Sequence, residues 1–551
     1  MNHSDTKPLR IVILGGGFGG VYCARYLRRY APHNVEIELI NATNYFVFQP
    51  LLPEVASGII SAPDAVTSLR LLLPGVKVRM AEVRDIDLEN RWVHIVQGSK
   101  RYPLKVDYHH LVIALGQKTD LSRFPGFEEH SRTMRDLADA HGLRNHIIQC
   151  MEHADITEDE ELKRRLLTFV VAGGGFSGVE TMGEVMEMVR RTLKHYPNIQ
   201  GSEVRGLLVQ RGQRILPELP EKLGEYALKK LQKRGVDVLL GTSLKSATAT
   251  AVFLDNGERI EASTLVTTVG NGPLPIIQRL GVDLVRGKIP TDAMLRVSGY
   301  NNVWALGDAA LVKQAANGST EPDIAPPTAQ FAAREAKCVA RNLAATLMEK
   351  TLQPFHYRPL GALASLGNYQ GVAEIAGVRV SGLLAWLLWR GAYISMLPGF
   401  STRLRVALNW LFDYFLPRNI VQISNREHSA AQFYHYAKGD IVCKAGQLID
   451  GFYAVVDGAL ESRVPDAAMG EDFVRLIGPG DHWGERCLVE DLTIQGTLVA
   501  LEHSRVLVLK KSDFTNICAA LPVVDQYFKG IPEKIYPHSL RPIRRADHGI
   551  N

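Results

Sequence analysis

The stretch Leu9-Arg10-Ile11-Val12-Ile13-Leu14-Gly15-Gly16-Gly17-Phe18-Gly19-Gly20 decides how this chain is read. Its apolar run predicts a buried strand, its glycines a tight turn, and the pattern over residues 21–30 a helix. Residues 35–40 predict the next strand. Gly15, Gly17 and Gly20 stand in G-x-G-x-x-G spacing at the first turn of this strand–helix–strand unit. Such a turn presents a helix N-terminus, with unpaired N–H groups and a positive dipole end, to a phosphate. The first glycine permits the turn, the second admits the pyrophosphate, and the third lets helix and strand pack closely.

The same grammar returns downstream. Thr168-Phe169-Val170-Val171-Ala172 reads as a strand, Gly173, Gly175 and Gly178 repeat the spacing, residues 179–194 read as a helix, and residues 204–209 as the next strand. The two copies lie too far apart for a solenoid repeat. One glycine triplet is weak evidence, but two, each between a strand and a helix, predict two dinucleotide-binding domains. Two dinucleotides in one chain imply hydride flow between a nicotinamide and a flavin.

Composition narrows the remainder. The 551 residues are 46% hydrophobic and 22% charged, which suits several globular domains and excludes wholesale disorder. A net charge of +5 is too slight to argue for nucleic acid. The six cysteines, Cys23, Cys150, Cys338, Cys443, Cys487 and Cys518, form no C-x-x-C pair, so a disulfide framework, a dithiol redox centre and a metal site are not expected. The N-terminus carries no secretion-signal pattern. The apolar run at 382–389 stops at Arg390, far short of the ~20 residues that span a bilayer.

Residues 9–420 resemble the type II NADH dehydrogenases, single-subunit NADH:quinone oxidoreductases that pump no protons. The resemblance is carried by Asn44-Tyr45-Phe46-Val47-Phe48-Gln49-Pro50-Leu51-Leu52-Pro53, by residues 173–183, by Val303-Trp304-Ala305-Leu306-Gly307-Asp308, and by Pro326-Pro327-Thr328-Ala329-Gln330-Phe331-Ala332. It implies FAD in the first cradle, with Ala114 and Gly116 on the strand returning toward the flavin. Asp308 would accept a hydrogen bond from a ribitol hydroxyl, and Ala329 would lie at the ring. It implies NADH, NADPH or both in the second cradle. Glu180 would lie beside flavin and nicotinamide, although a carboxylate in the first turn of a helix also reads as a dipole partner. Gln330 would face the isoalloxazine and a quinone head group. The family's second Gln, four residues on, is here Arg334, which would either donate to a quinone oxygen or pair with a carboxylate such as Glu335.

Two further departures concern the ribose sites. Where a dinucleotide fold usually places a carboxylate, this chain has Asn41 at the flavin site and Gln210, followed by Arg211, at the nicotinamide site. A neutral amide removes repulsion of a 2′-phosphate, and a guanidinium attracts it. NADPH is therefore expected to be used alongside NADH, unless Arg211 points to solvent.

Residues 381–418 place Leu404, Leu408, Leu411, Phe412 and Phe415 at helical spacing, with Arg390, Arg403, Arg405 and Arg418 as cations and Trp386, Trp389 and Trp410 as aromatic anchors. This suits a helix lying on an anionic bilayer, and equally a core or dimer helix. The family's docking through this region favours the membrane surface and brings the enzyme to a lipid-soluble quinone.

Residues 432–521 resemble a cyclic-nucleotide-binding-like β-roll, on Lys438-Gly439-Asp440, Tyr453-Ala454-Val455-Val456-Asp457-Gly458, Gly478-Pro479-Gly480-Asp481 and Trp483-Gly484-Glu485. The phosphate-binding Arg of that family is Gln495 here, which argues against a cyclic nucleotide ligand.

The expected fold is α/β: two Rossmann-like domains, a C-terminal amphipathic helical docking segment and an all-β roll. The expected boundaries are 9–164 and 273–350 for the FAD domain, 165–272 for the NAD(P)H domain, 351–420 for docking, 430–528 for the roll and 529–551 for a tail. The expected protein is a peripheral flavoenzyme on the cytoplasmic face of a membrane, passing electrons from NAD(P)H to a quinone, with homodimerisation left open. The competing readings are a soluble NAD(P)H oxidase or ferredoxin-reductase-like enzyme, and a redox- or nucleotide-sensing signalling protein.

Overall fold

The computed structural model of the chain describes residues 8–98, 101–314, 324–359, 361–422, 431–447, 451–464, 473–484, 494–511, 513, 514 and 517. The strand Leu9–Leu14 sits inside a seven-stranded sheet in the order Val303–Ala305, His110–Ile113, Leu9–Leu14, Val35–Asn41, Lys77–Asp87, Trp92–Gln97, Tyr102–Asp107. The first five run parallel and the last two continue as an antiparallel meander. Ile11, Val12, Ile13 and Leu14 are fully buried, as a parallel strand covered on both faces requires. Helix α1 (Phe18–Tyr30) follows the glycine turn. Because Val303–Ala305 pairs with His110–Ile113, the first unit is assembled from two separate lengths of chain.

The second unit is a five-stranded parallel sheet in the order Arg132–Thr133, Thr264–Thr267, Thr168–Ala172, Arg205–Gln210, Val236–Leu240. Helix α2 (Phe176–Thr192) leaves its glycine turn. This sheet recruits Arg132–Thr133 from upstream of residue 165. An antiparallel triplet, Leu244–Ala247, Ala251–Leu254 and Arg259–Glu261, flanks it.

Helix α3 (Ala329–Leu347) is capped by Thr328, whose hydroxyl accepts from the Phe331 N–H, and it packs along α1. Then come three antiparallel strands, Gly361–Ser365, Gly371–Ile375 and Val378–Gly382, and helices α4 (Leu383–Met396) and α5 (Phe400–Phe415). Among the described residues no helix is long and apolar enough to cross a membrane.

The apolar stripe of α5 is exposed as expected: Leu404, Leu408, Leu411, Phe412 and Phe415 all face outward. The expected anchors are not. Trp386, Trp389 and Trp410 are buried. Arg390 is sandwiched 3.9 Å from the Trp386 ring and 4.5 Å from the Trp410 ring, with Glu54 at 3.7 Å. Arg418 pairs inward with Asp413 at 3.0 Å and Glu184 at 3.9 Å. Buried carboxylates claim these cations and indoles before any lipid headgroup can.

The roll forms two four-stranded antiparallel sheets around its own core, which includes Tyr453, Leu460, Trp483, Leu498 and Val506. It rests on the flanking triplet of the second unit. Buried Asp440 accepts from Arg259 at 2.8 Å and from the Thr250 hydroxyl at 3.0 Å, and the Ala249 N–H donates to the His435 carbonyl. Gln495 is half-buried. Glu485 and the 529–551 tail lie outside the described residues.

Candidate active site

The first cradle is built as its glycines require. Gly15 adopts φ +104°, a conformation that disfavours a side chain, and a Cβ on Gly20 would strike the Gly15 carbonyl oxygen. A Cβ on Gly17 would meet nothing within 4 Å, and no side chain caps the N-terminus of α1. That helix end faces a cavity of about 890 Å³ lined by Gly15, Gly17, Asn41, Ala114, Gly116 and Asp308, among others. The volume falls at the upper end of ordinary ligand pockets, and its mouth is an uncapped helix N-terminus. These residues fit FAD.

Electrostatics at this cavity are mixed. Burial pushes the Asp308 carboxyl up, while Lys288 and Arg135 pull it back down. Arg135 lines the same cavity and is held by the Gln117 carbonyl at 2.6 Å and by Asn271 at 3.1 Å. Glu335, expected as a partner for Arg334, is occupied elsewhere. Its carboxylate accepts the Gly307 N–H at 2.7 Å, and burial foremost pushes it up to about 7.

The second cradle repeats the first. Gly173 has φ +111°, and a Cβ on Gly178 would collide with the Gly173 carbonyl oxygen. The two strand-end amides do the same work. Asn41 Oδ1 accepts from the Gly16 N–H at 2.8 Å, and Gln210 Oε1 accepts from the Gly174 N–H at 3.0 Å. Asn41 Nδ2 donates to Thr43, and Gln210 Nε2 to the Arg214 carbonyl. Arg211 is exposed.

The cavity at the first cradle adjoins a second one. A smaller cavity of about 290 Å³ is lined by Gln49, Ala329 and Tyr393 from one side and by Phe176, Glu180 and Thr268 from the other. Ala329 and Arg135 border both cavities. Glu180 is buried, and its Oε1 accepts from the Ser365 N–H and from the Trp389 indole N–H, both at 3.0 Å. Burial foremost pushes Glu180 up to about 8, those two donors pull it down, and the charges of Glu54 and Glu184 push it higher. Glu180 lines the cavity and is held by donors from the C-terminal region; it lies beyond the first turn of α2, which holds no acid, so the first-turn dipole partner expected from the sequence is not found.

Glu180 heads a buried row on α2 with Glu184 and Glu187. Glu184 accepts from the Ser57 hydroxyl at 2.9 Å; Glu187 pairs with Arg191 and Arg234, each at 2.8 Å. Opposite lies Glu54, which accepts from the Trp410 indole at 2.7 Å and is pushed up to about 8, chiefly by burial. Sequence reasoning missed Glu54, although it directly follows the Pro53 of a quoted motif. It read Trp389 and Trp410 as membrane anchors.

On the acceptor side, Gln330 is half-buried and accepts the Tyr357 hydroxyl at 3.5 Å. Arg334, exposed, lies 5.3 Å over the Tyr357 ring. Tyr357 thus joins the two residues the sequence singled out, and nothing in its sequence context announces it. Glu335 is committed to Gly307, which leaves Arg334 exposed beside Tyr357.

Residues 9–336 match the family described as pyridine nucleotide-disulphide oxidoreductase, residues 360–419 the NDH2 C-terminal domain, and residues 433–520 the cyclic nucleotide-binding domain. The chain is 32% identical over 429 residues to the type II NADH:quinone oxidoreductase Ndh of Mycobacterium tuberculosis, covering 74% of this chain and 89% of that one. It is 31% identical over 417 residues to the demethylphylloquinone reductase NdbB of Synechocystis, covering 74% and 96%. Its fold matches NDH2 from Plasmodium falciparum with a TM-score of 0.70 at 20% identity, covering 75% of this chain and all of that one. The chain belongs to the pyridine nucleotide-disulphide oxidoreductases and, among them, to the type II NADH:quinone oxidoreductases.

Proposed function

We propose that this chain oxidises NAD(P)H and reduces a quinone by way of bound FAD, without moving protons across a membrane. One observation carries the reading: the cavity at the first cradle shares Ala329 and Arg135 with a smaller cavity that is also lined by Phe176 and Glu180, from the helix that leaves the second cradle. Bound FAD supplies a two-electron carrier that takes hydride from a nicotinamide and returns electrons to a second acceptor. The protein's part is positioning. Gly15, Gly17 and Gly20 hold the flavin's pyrophosphate and Gly173, Gly175 and Gly178 that of the nicotinamide, each against a helix N-terminus. Asp308 would hold the flavin's ribitol, and Ala114, Gly116 and Ala329, which line the same cavity, would border the bound flavin. Glu180 retains a proton at neutral pH beside the reacting rings. Gln330 and Arg334 donate hydrogen bonds to the quinone carbonyls as negative charge builds on them.

Gln210 in place of a carboxylate removes the repulsion of a 2′-phosphate and supports use of NADPH as well as NADH; Arg211, which is exposed, lends it no support. The exposed apolar stripe of α5 supports docking on a membrane surface, where a lipid-soluble quinone is found. The roll acts as an accessory module on the NAD(P)H domain. Gln495 supplies no cation for a cyclic phosphate, so cyclic AMP is expected to leave turnover unchanged.

The test is NADH oxidation by the purified full chain with a short-chain quinone and, separately, with ferricyanide. Gln330→Ala is expected to lower kcat/KM for the quinone by roughly 10–100-fold, the loss of one or two good hydrogen bonds, and to spare ferricyanide. Equal loss with both acceptors would remove Gln330 from the quinone site. Turnover indifferent to quinone but consuming oxygen would favour the oxidase reading.

A further inference from the structure

The exposed face shared by α1 and α3 is cationic and aromatic. Three arginines, Arg25, Arg28 and Arg29, project from α1, and Lys337 and Arg341 from α3. Arg25, Arg28, Arg29 and Arg341 are exposed, Lys337 half so. Neither helix offers them an acid. Residues 18–30 contain none, and the single acid of residues 329–347, Glu335, is buried on Gly307. Among the described residues none of these five cations makes a salt bridge.

The cations are not loose. The rings of Phe18, Tyr22, Tyr26 and Tyr30 step along α1 at 6.4, 6.5 and 5.9 Å. Arg25 stands 5.8 Å over Tyr22, Lys337 5.8 Å over Tyr26 and Arg341 5.6 Å over Tyr30. Each charged head stands over an aromatic ring, so the three are held in a row with part of their ordering entropy already lost.

The row is continuous with the apolar stripe. The Tyr22 hydroxyl donates to the Met396 carbonyl at the end of α4, at 3.2 Å. Burial raises the Tyr22 hydroxyl, and Arg25, Arg403 and Arg334 pull it down, so cations from α1, α5 and α3 converge there. The Arg28 guanidinium lies beside Gly75, and Leu72, the last residue of the short helix Leu69–Leu72 just before it, lies close to Gly399, where α5 begins. On this short helix and at the start of α5 sit Leu71 and Phe400, 78% and 82% exposed. An apolar ridge bordered by an acid-free cationic band matches a bilayer of acyl chains under anionic headgroups.

We infer that the α1–α3 face is a second membrane contact that binds the headgroups of anionic phospholipids, with Arg25, Lys337 and Arg341 as its cations and the tyrosines as their supports. The inference rests on the docking reading above and adds a lipid class and a surface outside residues 381–418. Of the cations expected in 381–418, Arg403 and Arg405 are exposed, while Arg390 is half-buried and Arg418 buried; this face adds cations to the first two. An acidic protein partner is the other occupant such charge could attract, but the ridge of Leu71 and Phe400 beside it favours lipid.

The test is cosedimentation of the full flavin-loaded chain with vesicles of phosphatidylcholine alone and of phosphatidylcholine mixed with phosphatidylglycerol. The wild type is expected to prefer the anionic vesicles, with a preference that fades at high salt. The triple variant Arg25→Gln, Lys337→Gln, Arg341→Gln is expected to lose on the order of 100-fold in affinity for the mixed vesicles, at roughly fivefold per cation. Its weaker binding to phosphatidylcholine and its turnover with a short-chain quinone should be unchanged. The pair Phe400→Asp, Leu404→Asp is expected to lose binding to both vesicles. A triple variant with full anionic preference overturns this inference and leaves the docking reading standing. A wild type that sediments with neither vesicle overturns both, and one that binds the two equally overturns this inference alone.

Discussion

Replacing Trp389 by Phe isolates the electrostatics of Glu180. The indole N–H donates to Glu180 Oε1 at 3.0 Å, one of two donors on that oxygen. Burial foremost holds the carboxyl at about 8, and the two donors restrain it from rising further. A hydrogen bond to a charged group contributes about 1.5–3 kcal/mol, which is about 1–2 pH units. Trp389→Phe is therefore expected to move the Glu180 midpoint upward by that amount, into the range of about 9 to 10. The assay is the pH dependence of kcat/KM for NADH with a short-chain quinone. The wild type should break near 8, Trp389→Phe later, and Glu180→Gln not at all, because an amide still accepts both N–H groups but does not titrate. Trp389 is buried against Tyr393, 4.2 Å away, so Phe also leaves a small void. Flavin content and Tm measured alongside distinguish that packing loss from the titration. A break that stays near 8 in a folded, flavin-loaded Trp389→Phe variant refutes the assignment of the break to Glu180.

Gly178→Ala should abolish NADH binding and spare flavin, since its Cβ would strike the Gly173 carbonyl oxygen in the second cradle alone; fluorescence titration with NADH and an absorbance scan check the two halves. Gln210→Glu restores a carboxylate beside the 2′-position and should lower kcat/KM for NADPH by at least ~10-fold relative to NADH, about the effect of setting one charge against another. Stability should fall as pH rises from about 5 to about 8. Glu180 and Glu54 at about 8 and Glu335 at about 7 sit above their unfolded range, so the native state keeps protons that the unfolded chain has released. The stability these groups confer is complete below the unfolded carboxyl range and is lost toward the folded values, at about 1.4 kcal/mol per pH unit for each. Thermal unfolding across that range checks it, and Glu180→Gln should flatten the slope.

Both glycine turns were legible because they combine a short-range backbone requirement with a fixed spacing, and φ +104° at Gly15 and +111° at Gly173 meet it. The discontinuity of the first domain was legible in part, through the Val303-to-Asp308 motif, but its pairing with His110–Ile113 is a long-range fact that local pattern does not encode. The α5 stripe was read correctly because helical spacing puts Leu404, Leu408 and Leu411 on one side. Its tryptophans and two of its arginines were misread, because amphipathic patterning tells which residues share a face but not that Glu54 and Glu184 lie buried opposite. The fate of Glu335 likewise turned on an N–H at Gly307, distant in sequence and adjacent in space.

The central claim is that both cradles serve one reacting centre, and anaerobic rapid mixing tests it most directly. The purified chain should carry stoichiometric flavin, lose its oxidised absorbance on mixing with NADH, and regain it on mixing with a short-chain quinone, each at a rate no slower than turnover. A chain that takes up no flavin, or whose flavin stays oxidised under NADH while the nicotinamide site is filled, contradicts it.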